Sequence, residues 1–343
     1  MGYSPQQFID ETADEKLLSR VIGLGEKYST EWIRFSNYEI KSKKDLSRGS
    51  QILYIKPDLS SGFEIYDPFD CAEQLLVDTL RLGGSYDAYR KEMKEVDLNA
   101  YRKRKTNKMW SDLLDQVLEY VKNYGLMGFM SSNTHNRNVL GDNEILISEK
   151  NEIALDKRIM DEKTYMDLFT PFVEPGDLKV SAYKDNIYLA KYDDTPQYYG
   201  KRPVVMDLIF SSYYCERVEW ILNYASMLSK HYDQLMVYKK SANNLTEPVT
   251  ILADAFQAGK IGFTITQGKD TQIAWDFDSL KTTIQTLYAF AVTNSNSILR
   301  RCVHCSGFYI ANSKKEKYCG SACRNRHNVM KSRKRIKDED TDS

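Results

Sequence analysis

The sequence predicts an α+β fold, mostly helical. A large N-terminal body of unknown fold leads into a small four-cysteine unit and a basic helix. Three observations carry this reading. Apolar residues recur at steps of three and four over several long segments, which is the helical period. Short β-prone runs bounded by turn residues lie between those segments and read as strands. Four of the six cysteines fall between positions 302 and 323, near the C-terminus.

Composition bounds the class. Of 343 residues, 42% are hydrophobic and 28% charged, so the chain has the makeup of a globular protein and enough length to bury a core. The longest apolar run, residues 287–292, has six members, whereas a spanning helix needs roughly 20. No membrane partner is therefore expected. The first residues lack a basic start and an apolar stretch, so they do not read as a secretory signal. Gln6 stands where a myristoylation signal wants Ser or Thr. The expected location is cytoplasmic.

The elements follow in order. Residues 8–24 read as a helix and 51–55 as a short strand. Asp70 with Glu73 resembles a capping box. The helix it opens is expected to stop at Gly83-Gly84. Trp110, Leu114, Val117, Val121 and Tyr124 form one apolar face of a helix over 106–124. Residues 86–108 read as a solvated helix. Strands are expected at 144–147 and 153–155, and a hairpin at 180–190.

Tyr214, Val218, Ile221, Ala225, Leu228, Tyr232 and Leu235 make a sustained seam on the longest helix, read as core rather than as a dimer face. A short helix is expected at 249–258. Two strands, 261–266 and 272–275, enclose a Gln267-Gly-Lys-Asp270 turn. Asp278 or Ser279 then caps a helix whose inner face carries Leu280, Ile284, Leu287 and Ala291. The expected division is an α+β region at 1–205, a helical and hairpin region at 206–299, the cysteine unit with its basic helix at 300–337, and an acidic tail at 338–343.

Charge is unevenly placed. Residues 300–337 hold twelve Lys or Arg and one acid, for +11, and the tail carries −4. The net charge is zero, which leaves −7 on residues 1–299. Such asymmetry suggests an anion-facing C-terminal end. Cys71 and Cys215 stand alone and read as small buried apolar residues. The remaining four follow the pattern Cys302-x2-Cys305-x13-Cys319-x3-Cys323. Two close pairs separated in this way have the spacing of a structural zinc site, because Zn²⁺ binds four thiolates tetrahedrally. One structural zinc is expected on Cys302, Cys305, Cys319 and Cys323. Turn, hairpin, then helix with the last two ligands at its start is a treble-clef arrangement. His304 and His327 lie close by, and the four cysteines are preferred.

On the helix beyond these ligands, Ala322, Val329 and Ile336 fall on one line, read as a docking stripe. Arg324, His327, Lys331, Lys334 and Arg335 cluster opposite, with Arg326, Arg333 and Lys337 flanking the stripe. The expected nucleic-acid contacts are Arg324, Asn325, Lys331, Lys334 and Arg335, the basic ones to phosphate and Arg324 or Asn325 to base edges. The 24 tyrosines are spread along the chain and read as amphipathic packing.

Leu299-Arg-Arg-Cys302-x2-Cys305-x2-Phe308, Tyr318-Cys319, Cys323-Arg-Asn-Arg326 and the basic stretch to Arg335 resemble the CGNR-type zinc finger found at the C-terminus of many bacterial proteins. Arg324 stands where that signature has glycine, and the resemblance is confined to this C-terminal stretch. It implies a bacterial DNA-binding transcription regulator.

Two other readings compete. One is a protein-interaction or scaffold module, with a protein partner or a homodimer. The other is an HNH-like nuclease, opposed by the absence of histidine from residues 308–312. No phosphate loop, Gly-x-Ser-x-Gly elbow or His-Glu-x-x-His motif is present. His231 reads as structural, and His135 sits in a polar loop. The chain leans away from an enzyme.

Overall fold

The computed structural model describes residues 27–28, 32–44, 49–94, 100–129, 132–133, 144–147, 158–161, 170–172, 214–241, 261–267, 271–277, 279–293, 299–313 and 315–341. The expected helices at 8–24 and 249–258, the strand at 153–155, the hairpin at 180–190, and His135 lie outside these residues. The described part is α+β, with helix predominating.

Strands open the fold. β1 (Lys27–Tyr28) is followed by β2 (Trp32–Phe35), β3 (Tyr38–Lys44), β4 (Gln51–Pro57) and β5 (Phe63–Tyr66). β3 and β4 form an antiparallel hairpin, and β5 returns to pair with β2. A turn of 3₁₀ helix, Pro68–Cys71, leads into α1 (Ala72–Lys94). Its N-cap is Asp67, whose Oδ1 accepts from the Phe69 amide at 2.9 Å. α2 (Ala100–Tyr124) follows, then β6 (Ser132–Asn133), β7 (Glu144–Ile147) and β8 (Arg158–Asp161), which form an antiparallel sheet.

β9 (Glu216–Arg217) joins the edge of β4 and runs into α3 (Val218–Ser241). The hairpin β10 (Ile261–Gln267) and β11 (Thr271–Phe277) has β1 paired parallel to its second strand. α4 (Leu280–Thr293) is capped by Ser279, whose hydroxyl accepts from the Thr282 amide at 3.1 Å. A short hairpin, β12 (Leu299–Arg301) and β13 (Phe308–Ile310), precedes α5 (Ser321–Thr341).

The core lies where α1, α2, α3 and α4 meet. Leu75, Leu76 and Leu80 of α1 pack with Val117 and Val121 of α2, Ile221, Ala225 and Leu228 of α3, and Ile284 and Leu287 of α4. The α3 seam is therefore core, as its periodicity suggests. His231 is buried as well, with Nδ1 2.7 Å from the Tyr288 hydroxyl.

The stop expected at Gly83-Gly84 does not occur, since α1 continues to Lys94. A Cβ on Gly83 would stand 2.9 Å from Ser226 N, and closer still to the Ala225 carbonyl. The glycine is thus a contact point where α3 backbone approaches α1.

A buried carboxylate ties the end of α2 to β9. Glu216 is fully buried, and its Oε1 accepts from the amides of Gly128 (2.6 Å) and Phe129 (3.1 Å) and from the Tyr214 hydroxyl (2.8 Å). Its Oε2 accepts from the Met127 amide at 2.8 Å. Burial raises the pKa of this group, while the four donors oppose that shift. Gly125 and Gly128 hold the loop at φ values of 81° and 73°, with Trp32 packed against both.

Candidate metal centre

The small C-terminal unit begins on the core itself. Leu299 and Phe308, one from each strand of the β12–β13 hairpin, are fully buried in the main cluster. The Arg81 Nε on α1 donates to the Phe308 carbonyl at 2.9 Å, and the Tyr232 hydroxyl on α3 donates to the Leu299 carbonyl at 2.9 Å. Arg301 binds Asp233 of α3 through two nitrogens, at 2.6 and 2.8 Å, and donates to Ser229 Oγ at 2.9 Å. Its Nη1 donates to the Ser306 carbonyl at 2.9 Å, and its guanidinium lies 4.0 Å from the Phe308 ring centre. Arg301 thus joins the turn that bears the first cysteine pair to the helical body. In the sequence Arg301 reads only as charge, because its partners lie far back in the chain, on another helix.

The turn is tight. The Ser306 amide donates to the Cys302 carbonyl, and the Cys302 amide to the Gly307 carbonyl, each at 2.9 Å. Ser306 adopts φ 58°, which closes the loop around the cysteines. The Val303 amide donates to the Lys317 carbonyl at 3.0 Å, which brings the second loop alongside the first. Glu316 stiffens that loop: its Oε2 accepts from the Asn312 amide at 2.7 Å, and its carbonyl accepts from the Tyr309 hydroxyl at 3.0 Å. Cys319 lies just before α5 and Cys323 in its first turn.

These elements bring the sulfurs of Cys302, Cys305, Cys319 and Cys323 within 4.8 Å of one another. Cys305 and Cys319 are 3.8 Å apart, and Cys319 and Cys323 are 3.4 Å apart. Tetrahedral metal–thiolate bonds of ~2.3 Å set sulfurs ~3.8 Å apart, so the spacing suits one ion at the centre.

The electrostatics agree. Burial raises the Cys302 thiol, but the backbone amides of Cys305, Cys319 and His304 outweigh it and lower its pKa to about 6. Burial, with hydrogen bonding among the neighbouring thiols, pushes Cys319 up to about 12. A cation among the sulfurs would oppose the upward shift on Cys319. Cys302 is buried, Cys323 half-buried, and Cys305 and Cys319 exposed. Cys71 and Cys215 lie elsewhere; Cys215 is buried, and burial pushes its thiol up to about 12.

His327 stands beside the cluster on α5. Its ring centre is 5.3 Å from that of Tyr318 and 6.4 Å from that of His304. The two histidine rings meet edge to face, next to a sulfur set that is already four.

α5 departs from the sequence reading. Only Cys323 and His327 are half-buried between residues 321 and 333, and the rest of that span is exposed. Ala322 is exposed and Val329 is 49% exposed, so these two positions of the expected docking stripe face solvent, and the side chain of Ile336 lies outside the described residues. The physical reason is the anchor. The cysteine-bearing first turn and the His327–Tyr318 contact fix the rotation of the helix, and Ala322 and Val329 fall on the far side. Arg324, Asn325 and Lys331 are exposed as expected. Lys334 and Arg335 lie within α5, with side chains outside the described residues.

No protein-family model, curated protein or solved structure matches the chain. What is established is an α+β body with a cluster of four cysteines able to hold one metal ion. Among the described residues, no helix is long and apolar enough to cross a membrane.

Proposed function

We propose that the chain is a zinc-finger nucleic-acid-binding protein, and specifically a DNA-binding transcription regulator of the bacterial CGNR type that residues 299–335 resemble. The observation that carries this reading is the four-sulfur cluster at the root of an exposed basic helix. Zn²⁺ fits an all-thiolate tetrahedral set. When bound, it supplies folding free energy and fixes the start of α5. Four thiolates close the coordination sphere and leave no place for a substrate, which disfavours the nuclease reading.

α5 presents Arg324, Arg326, Lys331 and Arg333 to solvent, donors suited to phosphate. The test is a salt series with the full metal-bound chain on duplex and single-stranded DNA. Log affinity should fall steeply with log salt. Replacing these four residues with Gln should lower the slope on duplex DNA by roughly 3.6, at ~0.9 per phosphate contact. Unchanged slope and affinity would defeat the reading and leave the finger as a protein-interaction module.

A further inference from the structure

The orientation of α5 says more than its charge. With Arg324 as the origin and about 100° per residue, the anchored positions Cys323 and His327 lie at about 260° and about 300°. Those two are the half-buried residues among the described side chains of the helix. The direction opposite the anchor, about 100°, is the outward ridge. It carries Asn328, Ser332, Asn325 and Val329 at about 40°, about 80°, about 100° and about 140°. All four are exposed.

The basic residues fall on the two flanks of this ridge. Lys331, at about 340°, lies beside Arg324 at the origin, while Arg326 and Arg333 lie at about 200° and about 180°. These four are exposed as well. The helix thus presents a narrow row of short amide, hydroxyl and methyl groups between two cationic rows.

We infer that α5 enters the major groove of B-form duplex DNA, with Asn325 and Asn328 reading adenine edges while the two basic rows hold the phosphate strands on either side. This rests on the nucleic-acid reading above and deepens it to a substrate class. The dimensions agree: the major groove is ~12 Å wide and a helix with its side chains is ~10–12 Å across. Asparagine matches the N6 and N7 pattern of adenine, and the Val329 methyls suit the thymine methyl. From Asn325 to Ser332 the ridge rises by ~10 Å, about three base pairs. A-form RNA has a deep, narrow major groove that this helix cannot enter. A single strand offers no second backbone for the second row.

The experiment selects duplexes from a random pool with the full metal-bound chain, then measures salt dependence on the selected duplex. The wild-type chain should enrich adenine at one or two positions within about three base pairs. Asn325→Ala and Asn328→Ala should each relax one position by about tenfold, with non-specific affinity and metal content unchanged. The pairs Arg324→Gln/Lys331→Gln and Arg326→Gln/Arg333→Gln should each lower the salt slope by about 1.8.

Three results would overturn the inference while leaving nucleic-acid binding intact. One is a slope that responds to a single pair only. Another is base preference unchanged in both Asn variants. The third is tighter binding of single strands or duplex RNA than of duplex DNA. Absence of all nucleic-acid binding by the wild-type chain would overturn this inference and the function together. All eight positions are exposed, so metal content and helical signal serve as folding controls.

Discussion

The pair Gly83 and Gly84 gives a sharp test of how the body is packed. Both sit inside α1, so helix propensity alone predicts that either change to Ala stabilises by about 1 kcal/mol. The surroundings differ. At Gly83 the new Cβ would meet α3 backbone, standing 2.9 Å from Ser226 N and closer still to the Ala225 carbonyl. Comfortable contact needs ~3.5 Å, so α1 and α3 must part by on the order of 1 Å along a fully buried seam. Overpacking of this kind costs about 1–3 kcal/mol, and a backbone obstacle belongs at the upper end. After the propensity gain, Gly83→Ala should lose about 2 kcal/mol. At Gly84 the nearest atom to a new Cβ is the end of a flexible side chain, Arg301 Nη1 at 3.7 Å, which is an ordinary contact. Gly84→Ala should therefore gain about 0.5–1 kcal/mol. Urea unfolding of the metal-saturated chain, followed by far-UV circular dichroism, reads both. Two identical substitutions at adjacent positions should shift the midpoint in opposite directions. A Gly83→Ala midpoint at or above that of the wild type would refute the close-packing argument.

Metal analysis of the freshly purified chain should give one zinc per chain, and Cys305→Ser should lower it. Chelation should unfold the cysteine loops and fray α5 while the α1–α4 core keeps its helical signal; complete loss of helicity would contradict this. Glu216→Gln should destabilise by about 1–3 kcal/mol, because an amide NH₂ would face one of the backbone donors that the carboxylate now accepts. Equilibrium unfolding measures that loss. Asp58 is held below its ordinary carboxylate range by the Ser60 hydroxyl, then by the Asn37 side chain and the Ser60 amide. A depressed acid contributes stability above its unfolded pKa of about 3.9 and loses it as pH falls through the folded value. Asp58→Asn should flatten the acid limb of a melting-temperature profile below about pH 4, and an unchanged limb would contradict the assignment.

Much of the local structure was legible. β4 includes the expected strand at 51–55, and α2 includes the helix expected over 106–124. The α3 seam and the α4 inner face are buried in the phase that their periodicity gives. Each of these signals needs only neighbours within a few turns of the chain. Gly83-Gly84 misled for a complementary reason. Glycine commonly ends helices, but here the absent side chain serves a neighbour on α3, distant in sequence. Arg301 was similarly opaque, since Asp233 and Ser229 meet it only once α3 is in place.

The sequence by itself determined the four-cysteine pattern, the basic composition of the last helix and the periodicity of the body, because spacing and charge are properties of the chain alone. Tertiary structure decided which way that last helix faces. A helical wheel shows which residues share a side, but not which side is buried. That choice falls to the Cys323 anchor and the His327–Tyr318 contact. They turn Val329, Asn325 and Asn328 outward, with the basic rows on either side.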